Sequence, residues 1–389
     1  MTTPPPTPPT PATPGLLRSI NDRVVLDLLL EHKALSRGDV RRLTGVSKPT
    51  ASQLLARLEN SGHVLQVGFE EHSRGGRASV IYELNPRAGF AAAIDVTASR
   101  VHAQVADVRG TVLGENRAAG DAGPDAAIEA LRVALALAGL ELSALSSLVV
   151  SVPGSYDPEA DLLRFAGHLP LWQQPGLLAG LERATGVQTR VENDVNLVAM
   201  AEQGLGAARG ESDFFLLWSD EGIGGALMLG DRLHRGSSGG AGEVAFLLVP
   251  GVPIVRNPAR ENHGGFDDLA GAHQIIALGA HHGLVAETAV DVVTAAVASG
   301  AQEFLDDLGA RYATGLASIV ALIDPPVIVL AGSVMTAGGG ALLATIRAHV
   351  DEVAIRTPRF VLGEVVDEPA VAGAMLASLD HTRNGVFST

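Results

Sequence analysis

The chain has 389 residues, no cysteine, 47% hydrophobic and 4% aromatic residues, and a formal net charge of −15. That length supports two or three separate cores; the lack of cysteine excludes disulfides and thiolate metal sites, and no apolar run approaches the ~20 residues of a membrane span. The charge is uneven: residues 1–89 hold 11 Lys+Arg against 8 Asp+Glu and residues 90–389 hold 17 against 35, so only the N-terminal part suits a polyanion.

The opening MTTPPPTPPTPATP has seven prolines and no apolar period, and predicts a disordered or polyproline II tail over residues 1–15. It is not a charged segment followed by an apolar one, so no export signal is read and a cytoplasmic protein is expected. Residues 16–31 carry Leu17, Ile20, Val24, Val25, Leu28 and Leu29 at helical spacing. A second helix is predicted from Ser36, with Asp39 completing a capping pair, Val40 and Leu43 buried, and Gly45 as the left-handed stop. Ser47 can cap a third helix, where Pro49 falls harmlessly in the first turn. Its buried stripe is Ala51, Leu54, Leu55 and Leu58, which leaves Lys48, Thr50, Ser52, Gln53 and Arg57 facing outward. Residues 64–67 and 80–84 alternate as strands around a loop at 70–77.

Two short helices about a tight turn, followed by a hairpin, read as a winged helix-turn-helix over residues 16–87, with the third helix in a DNA major groove. Gln53 suits adenine, while Lys48 and Arg57 suit guanine or phosphate. Arg74 and Arg77, in Ser-Arg-Gly-Gly-Arg-Ala-Ser, would reach the flanking backbone or minor groove. A plain solvated helix face with a glycine loop is the competing reading. The expected partner is a double-stranded operator, read by a homodimer or higher homo-oligomer on repeated half-sites.

From residue 88 the pattern changes. Strands are predicted at 91–96, 101–108 and 111–115, with Arg109-Gly110 as a hairpin turn, then a helix at 125–140 and a strand at 147–152. The device recurs at 214–218, 225–229 and from 232, around a Gly230-Asp231 turn. Two such repeats at the heads of two α/β halves predict a duplicated fold with a cleft between the halves. Asn193 and Asp194 follow a strand at 188–191 and open a helix, which makes them either cap residues or side chains aimed into that cleft.

Several short motifs recur together in this chain: SRGDVRRLTGVSKPTASQLLARLENSGHV, GGRAS, Leu84-Asn85-Pro86, Ser151-Val152-Pro153-Gly154, Val191-Glu192-Asn193-Asp194-Val195-Asn196, Gly222-Ile223-Gly224-Gly225, Gly239-Gly240-Ala241-Gly242-Glu243 and Leu330-Ala331-Gly332-Ser333. In order and spacing the chain resembles, over residues 16–378, the ROK-family transcriptional regulators, sugar-responsive repressors that share their body with ROK sugar kinases. The resemblance implies an actin-like, two-lobed sugar-kinase fold over residues 88–389. It implies a sugar subsite of Gly154, Asn193, Asp194 and Glu243, with His168 in the place of an Asn that touches sugar and Asp267 near a second sugar-binding Glu. Asp194 stands where the kinases place the base that takes the sugar proton. Turn-making glycines and a surface-loop His168 remain the bland alternatives.

The departures point away from catalysis. A Gly-Gly-Thr phosphate turn is replaced by Val96-Thr97-Ala98-Ser99, a Gly-Thr-Gly turn by Ser219-Asp220-Glu221-Gly222, and a Gly-Gly by Ala331-Gly332. Carboxylates beside a triphosphate repel it. The zinc-binding His is Phe246 and the cysteine stretch reads NPARENHGGFDD, so no metal and no cofactor are expected. His263, Asp267, Asp268 and His273 have no ligand spacing that compels a substitute site. The sequence therefore predicts a DNA-binding, non-enzymatic sugar sensor. A sugar kinase with an appendage and an effector-independent DNA-binding dimer are the alternatives.

Overall fold

The computed structural model describes residues 14–70, 79–119, 123–167, 169–256 and 263–387. The N-terminal tail at 1–13, Arg74, Arg77 and His168 lie outside the described residues. Among the described residues no helix is long and apolar enough to cross a membrane.

The N-terminal head runs α1 (Pro14–His32), β1 (Ala34–Ser36), α2 (Arg37–Thr44), α3 (Lys48–Asn60), β2 (Val64–Glu70) and β3 (Ser79–Leu84). Local chemistry sets its boundaries. The Ser36 side chain accepts from the Asp39 amide and the Asp39 carboxylate accepts from the Ser36 amide, a reciprocal cap. Gly45, at φ 72°, ends α2, and Ser47 caps α3 by accepting from Thr50. Ala51, Leu54, Leu55 and Leu58 are buried as their spacing predicts. Leu43 is not: it is 38% exposed, because the short α2 turns only Val40 fully inward. Three residues form β1, which pairs antiparallel with β3 in a sheet ordered β1-β3-β2; three residues are too few for an alternation to show.

The body repeats one sheet twice. β4 (Phe90–Val96), β5 (Arg100–Asp107) and β6 (Val112–Ala119) form a meander, and β7 (Leu145–Val152) and β10 (Thr189–Asn193) add in parallel on the other side of β4. The order is β6-β5-β4-β7-β10. In the second lobe, β11 (Phe214–Ser219), β12 (Ile223–Leu229) and β13 (Arg232–Leu233) form the meander, with β14 (Val327–Ala331) and β15 (Arg359–Leu362) added in parallel, ordered β13-β12-β11-β14-β15. Order and direction match strand for strand, so the duplication read from the turn chemistry is present. A short hairpin, β8 (Ser155–Asp157) with β9 (Leu162–Arg164), stands at the end of β7. Helix α4 (Pro124–Leu137) packs on β5 and β6, α5 (Leu177–Thr185) precedes β10, and α6 (Asp194–Leu205) leads from β10 toward the second lobe. The long helices Gln302–Ile323 and Ser333–Val353 pack against each other over the core of that lobe.

One element touches every part. The C-terminal helix Pro369–Val386 lays Val371, Ala374, Met375 and Leu379 against Ala91, Ala93, Ala106, Val149 and Leu197. It crosses α6 so closely that a Cβ at Gly373 would strike the backbone of Leu197. Just beyond it, Phe387 is 2% exposed and enters the head's core with Val108 from the β5–β6 turn. Arg23 of α1 donates to Asn384 at 2.8 Å and lies over the Phe387 ring, and Arg109 pairs with Glu83 of β3 at 3.5 Å. The head is thus seated on the body through the end of this helix.

Candidate functional site

Two sites come from the fold: the outer face of α3 and the cleft between the lobes. On α3, Lys48, Thr50 and Gln53 are exposed and Ser52 is half-buried. Lys48 and Gln53 have no hydrogen bond or ion pair among the described residues, so their polar ends are free for an external partner. The Thr50 hydroxyl is shared with Ser47 at 2.8 Å. Exposed Ala56 continues the same face and went unnoticed in the sequence; a small apolar side chain there suits a thymine methyl.

Arg57 does something different from what the sequence predicts. Its Nε donates to Asp22 of α1 at 2.9 Å, and an Nη bonds the other oxygen of that carboxylate. Asp22 is 7% exposed, so this fork ties α3 to α1 through a buried charge. The bond to Asp22 raises the Arg57 guanidinium further above its ordinary value. The pairing engages the Nε–Nη edge of the guanidinium and turns it toward α1.

The cleft is a cavity of about 1090 Å³ with walls from both lobes. Gly154, Asn193, Asp194, Glu243 and Asp267, widely separated in sequence, all line it. Gly154 has φ 102°, and a Cβ there would collide with the carbonyl of Arg164, so glycine is required where β7 turns under the cavity. Asn193 is the N-cap of α6: its Oδ1 accepts from the Asn196 amide at 3.0 Å and its Nδ2 donates to the Gly154 carbonyl at 3.0 Å. Asp194 accepts from the amide of Val195 at 2.8 Å and from its own backbone amide, and burial together with the nearby Asp95 and Glu243 pushes its carboxyl up to about 7. Burial also raises the carboxyls of Glu243 and Asp95. Asp95 accepts from Ser151 at 2.7 Å and lies 3.5 Å from Arg100. Asp267 uses one oxygen to accept from the Ile223 amide at 3.2 Å, so it holds the start of β12 while lining the cavity.

On the side of the cavity lined by the turns after β4, β11 and β14, several polar groups are bonded to one another. In the turn after β4, the Thr97 hydroxyl accepts from the amides of Ser99 and Arg100 at 3.4 and 3.2 Å, and the Thr97 amide donates to the Arg100 carbonyl at 2.9 Å. Amides that would cradle an anion are already engaged. Arg100 is held by Glu368 at 2.6 Å. Across the cavity, Ser333, at the start of the helix after β14, donates a short hydrogen bond to the Asp220 carboxylate in the turn after β11. This bond links the two turns of the second lobe, 113 residues apart, and was not visible in the sequence.

A thiolate zinc site does not fit. Cysteine is absent, and Phe246, in the expected histidine position, packs its ring 5.6 Å from that of Phe165 at 50°. Among the described residues Asp267, Asp268 and His273 bring three ligand-type atoms within 4.8 Å of one another. Asp267 already holds Ile223, and Asp268 faces His263 at 3.2 Å.

Comparison with known proteins agrees with this layout. A sequence model of the ROK family matches residues 91–377, and one of the MarR family matches residues 19–75. The chain is 26% identical over 240 residues to a protein named xylose repressor from Caldicellulosiruptor bescii, covering 60% of each. It therefore spans about 60% of the length of that curated relative. A solved ROK family transcriptional regulator, described as a homologue of the Escherichia coli MLC protein, superposes with a TM-score of 0.73 at 18% identity, over 96% of this chain and 99% of that one. The ROK hexokinase from Thermus thermophilus superposes with a TM-score of 0.63 at 25% identity, over 74% of this chain and 97% of the enzyme.

Proposed function

This chain belongs to the ROK family, and from that premise we propose that it is a DNA-binding repressor of carbohydrate-related genes whose kinase-like body binds a ligand and transfers no phosphoryl group. The observation that carries the reading is a contrast within one molecule. An exposed, well-capped helix with free Lys48 and Gln53 is joined to a cleft whose phosphate turns are engaged with themselves. The xylose repressors among its relatives and the MarR-type match over the head support the regulatory half.

The C-terminal helix offers a physical route between the sites. At its start, Glu368 lines the cleft, holds Arg100 and, at 2.9 Å, Arg117, and lies 2.8 Å from the buried His102. At its end, Phe387 sits in the head's core. A ligand that closes the lobes shifts the strands under this helix and so the seat of the head. Two copies acting in the cytoplasm, with their α3 helices on two half-sites, would convert that shift into altered operator affinity.

The test uses the full chain. Duplexes selected from a randomised pool are titrated by fluorescence anisotropy, with and without a panel of sugars, and ATP hydrolysis and sugar phosphorylation are followed on the same preparation. The expected result is salt-dependent duplex binding, modulated by a ligand, with no nucleotide turnover. Sugar phosphorylation abolished by Asp194→Asn would establish the kinase reading instead. Duplex binding indifferent to every ligand would leave a body that only assembles.

A further inference from the structure

We propose that the head carries a second duplex contact beside α3, on the helix side of the β2–β3 hairpin: the Phe69 ring packs on the deoxyriboses of the operator strand that borders the groove entered by α3, and the Arg37 guanidinium takes a phosphate of that strand. This rests on the reading of the head as DNA-binding and adds a surface and the chemistry it recognises.

Phe69 is 71% exposed, and no other aromatic ring of Phe, Tyr or Trp among the described residues is exposed. It has no ring or cation partner among them. A β-bulge decides which way it points. Gln66 pairs with Tyr82, the register then slips, and Gly68 stands opposite Ile81 and Phe69 opposite Val80. Directly opposed residues share a face. Val80, Tyr82 and Leu84 alternate onto one face of β3, and Tyr82 and Leu84 are buried there with Leu54, Leu55 and Leu58 of α3. Phe69 therefore lies on the helix side of the sheet. Without the extra residue, Val67, strict alternation would turn the ring to the opposite face, beside Leu65. The bulge thus aims a large apolar side chain to the core side at a point where most of it stays in solvent.

Its place is fixed against α3. Gln66 donates to both oxygens of Glu59, in the last turn of α3, at 2.8 Å. Phe69 stands three residues, about 10 Å, further along the returning strand. Across β3, Arg37 at the start of α2 donates to the Tyr82 hydroxyl at 2.7 and 3.1 Å and lies 5.7 Å from the centre of that ring. Arg37 is exposed and has no carboxylate partner among the described residues. One face of the hairpin so presents an apolar ring and an unneutralised cation, and it continues into α3 with its free Lys48 and Gln53. A nucleic-acid strand alternates C–H-rich sugars with phosphates and satisfies both groups together. A second copy of the chain could cover the ring, but its net charge gives no preference for this one cation over the rest of the surface.

The experiment is fluorescence anisotropy of the full chain with a selected duplex at salt concentrations from about 50 to 200 mM, beside thermal melts and sedimentation. Phe69→Ala should weaken binding about tenfold at every salt concentration, with the slope of log affinity against log salt, the melting temperature and the assembly state unchanged. Arg37→Gln should weaken binding and make that slope shallower by about one, and Arg37→Lys, which keeps the charge, should restore it. Leu65→Ala, on the opposite face, should bind as the unaltered chain does. Unchanged affinity in Phe69→Ala, or an unchanged slope in Arg37→Gln, overturns the proposal while the DNA-binding reading stands. A changed assembly state in Phe69→Ala also overturns it, and gives the ring to a contact between copies. Failure of the unaltered chain to bind any duplex removes the DNA-binding reading itself.

Discussion

The two halves of the cleft are built from similar residues and behave in opposite ways. On the phosphate side, Thr97, Asp220 and Ser333 satisfy one another or their own turns. On the sugar side, Asp194 accepts only from backbone amides and Glu243 has no hydrogen-bond partner among the described residues. Polar groups that close on themselves stabilise a fold and recognise nothing; polar groups left without partners in a cavity are costly until a ligand arrives. The head repeats the contrast on one helix, where Arg57 is engaged by Asp22 and Gln53 is free.

The largest effect expected lies in the element beneath both halves. Gly373→Val should lower stability by more than about 4 kcal/mol, since the new side chain collides with the Leu197 backbone and lifts the C-terminal helix from α6. Urea denaturation reads it; a loss under about 1 kcal/mol would show the crossing to be pliable.

Next comes the pair on α3. Arg57→Ala should destabilise the head by roughly 1–3 kcal/mol, because Asp22 would be left buried without its partner. Gln53→Ala should change stability by under about 0.5 kcal/mol and weaken binding to a selected duplex by about 1–3 kcal/mol. Thermal melts and anisotropy titrations on both variants separate the roles. The comparison breaks if Arg57→Ala leaves the melt unchanged and weakens the duplex instead.

A smaller effect is pH-dependent. Asp194 has a folded value of about 7 against an ordinary 3.8, with Asp95 and Glu243 as the charged groups facing it. Between those values the folded chain binds more protons than the unfolded one, so this group makes stability fall as pH rises from about 4 to 7. Asp194→Asn should therefore raise the melting temperature at pH 8 by a few degrees and leave it nearly unchanged at pH 4. An equal shift at both values would show that ionisation of Asp194 is not what the cavity resists.

The smallest concerns the closed side. Ser333→Ala removes one hydrogen bond to Asp220 and should cost about 1 kcal/mol. It should not restore ATP binding, since the Thr97 turn remains closed and the Asp220 and Glu221 carboxylates remain in place.

What the sequence disclosed follows the range of the interactions involved. Caps at Ser36, Gly45 and Ser47 depend on residues within a turn of one another, and they were legible. So was the repeated meander, whose turns are local. The Arg57–Asp22 fork joins positions 35 apart on different helices, and helical period alone left Arg57 on the outer face. The Ser333–Asp220 bond and the entry of Phe387 into the head's core span far longer separations, and nothing local marks them. The resemblance to the ROK family located the sugar-side carboxylates, but only the fold shows which of them lack side-chain partners.

The central claim is that the phosphate-side turns of the cleft are engaged with one another and carry carboxylates that repel a nucleotide, while the DNA-reading head is competent. Calorimetric titration of magnesium ATP into the full chain, on a preparation already shown to bind duplex DNA at low salt, tests it most directly. The account predicts no heat of binding and no released phosphate. A saturable nucleotide isotherm from that preparation would contradict it.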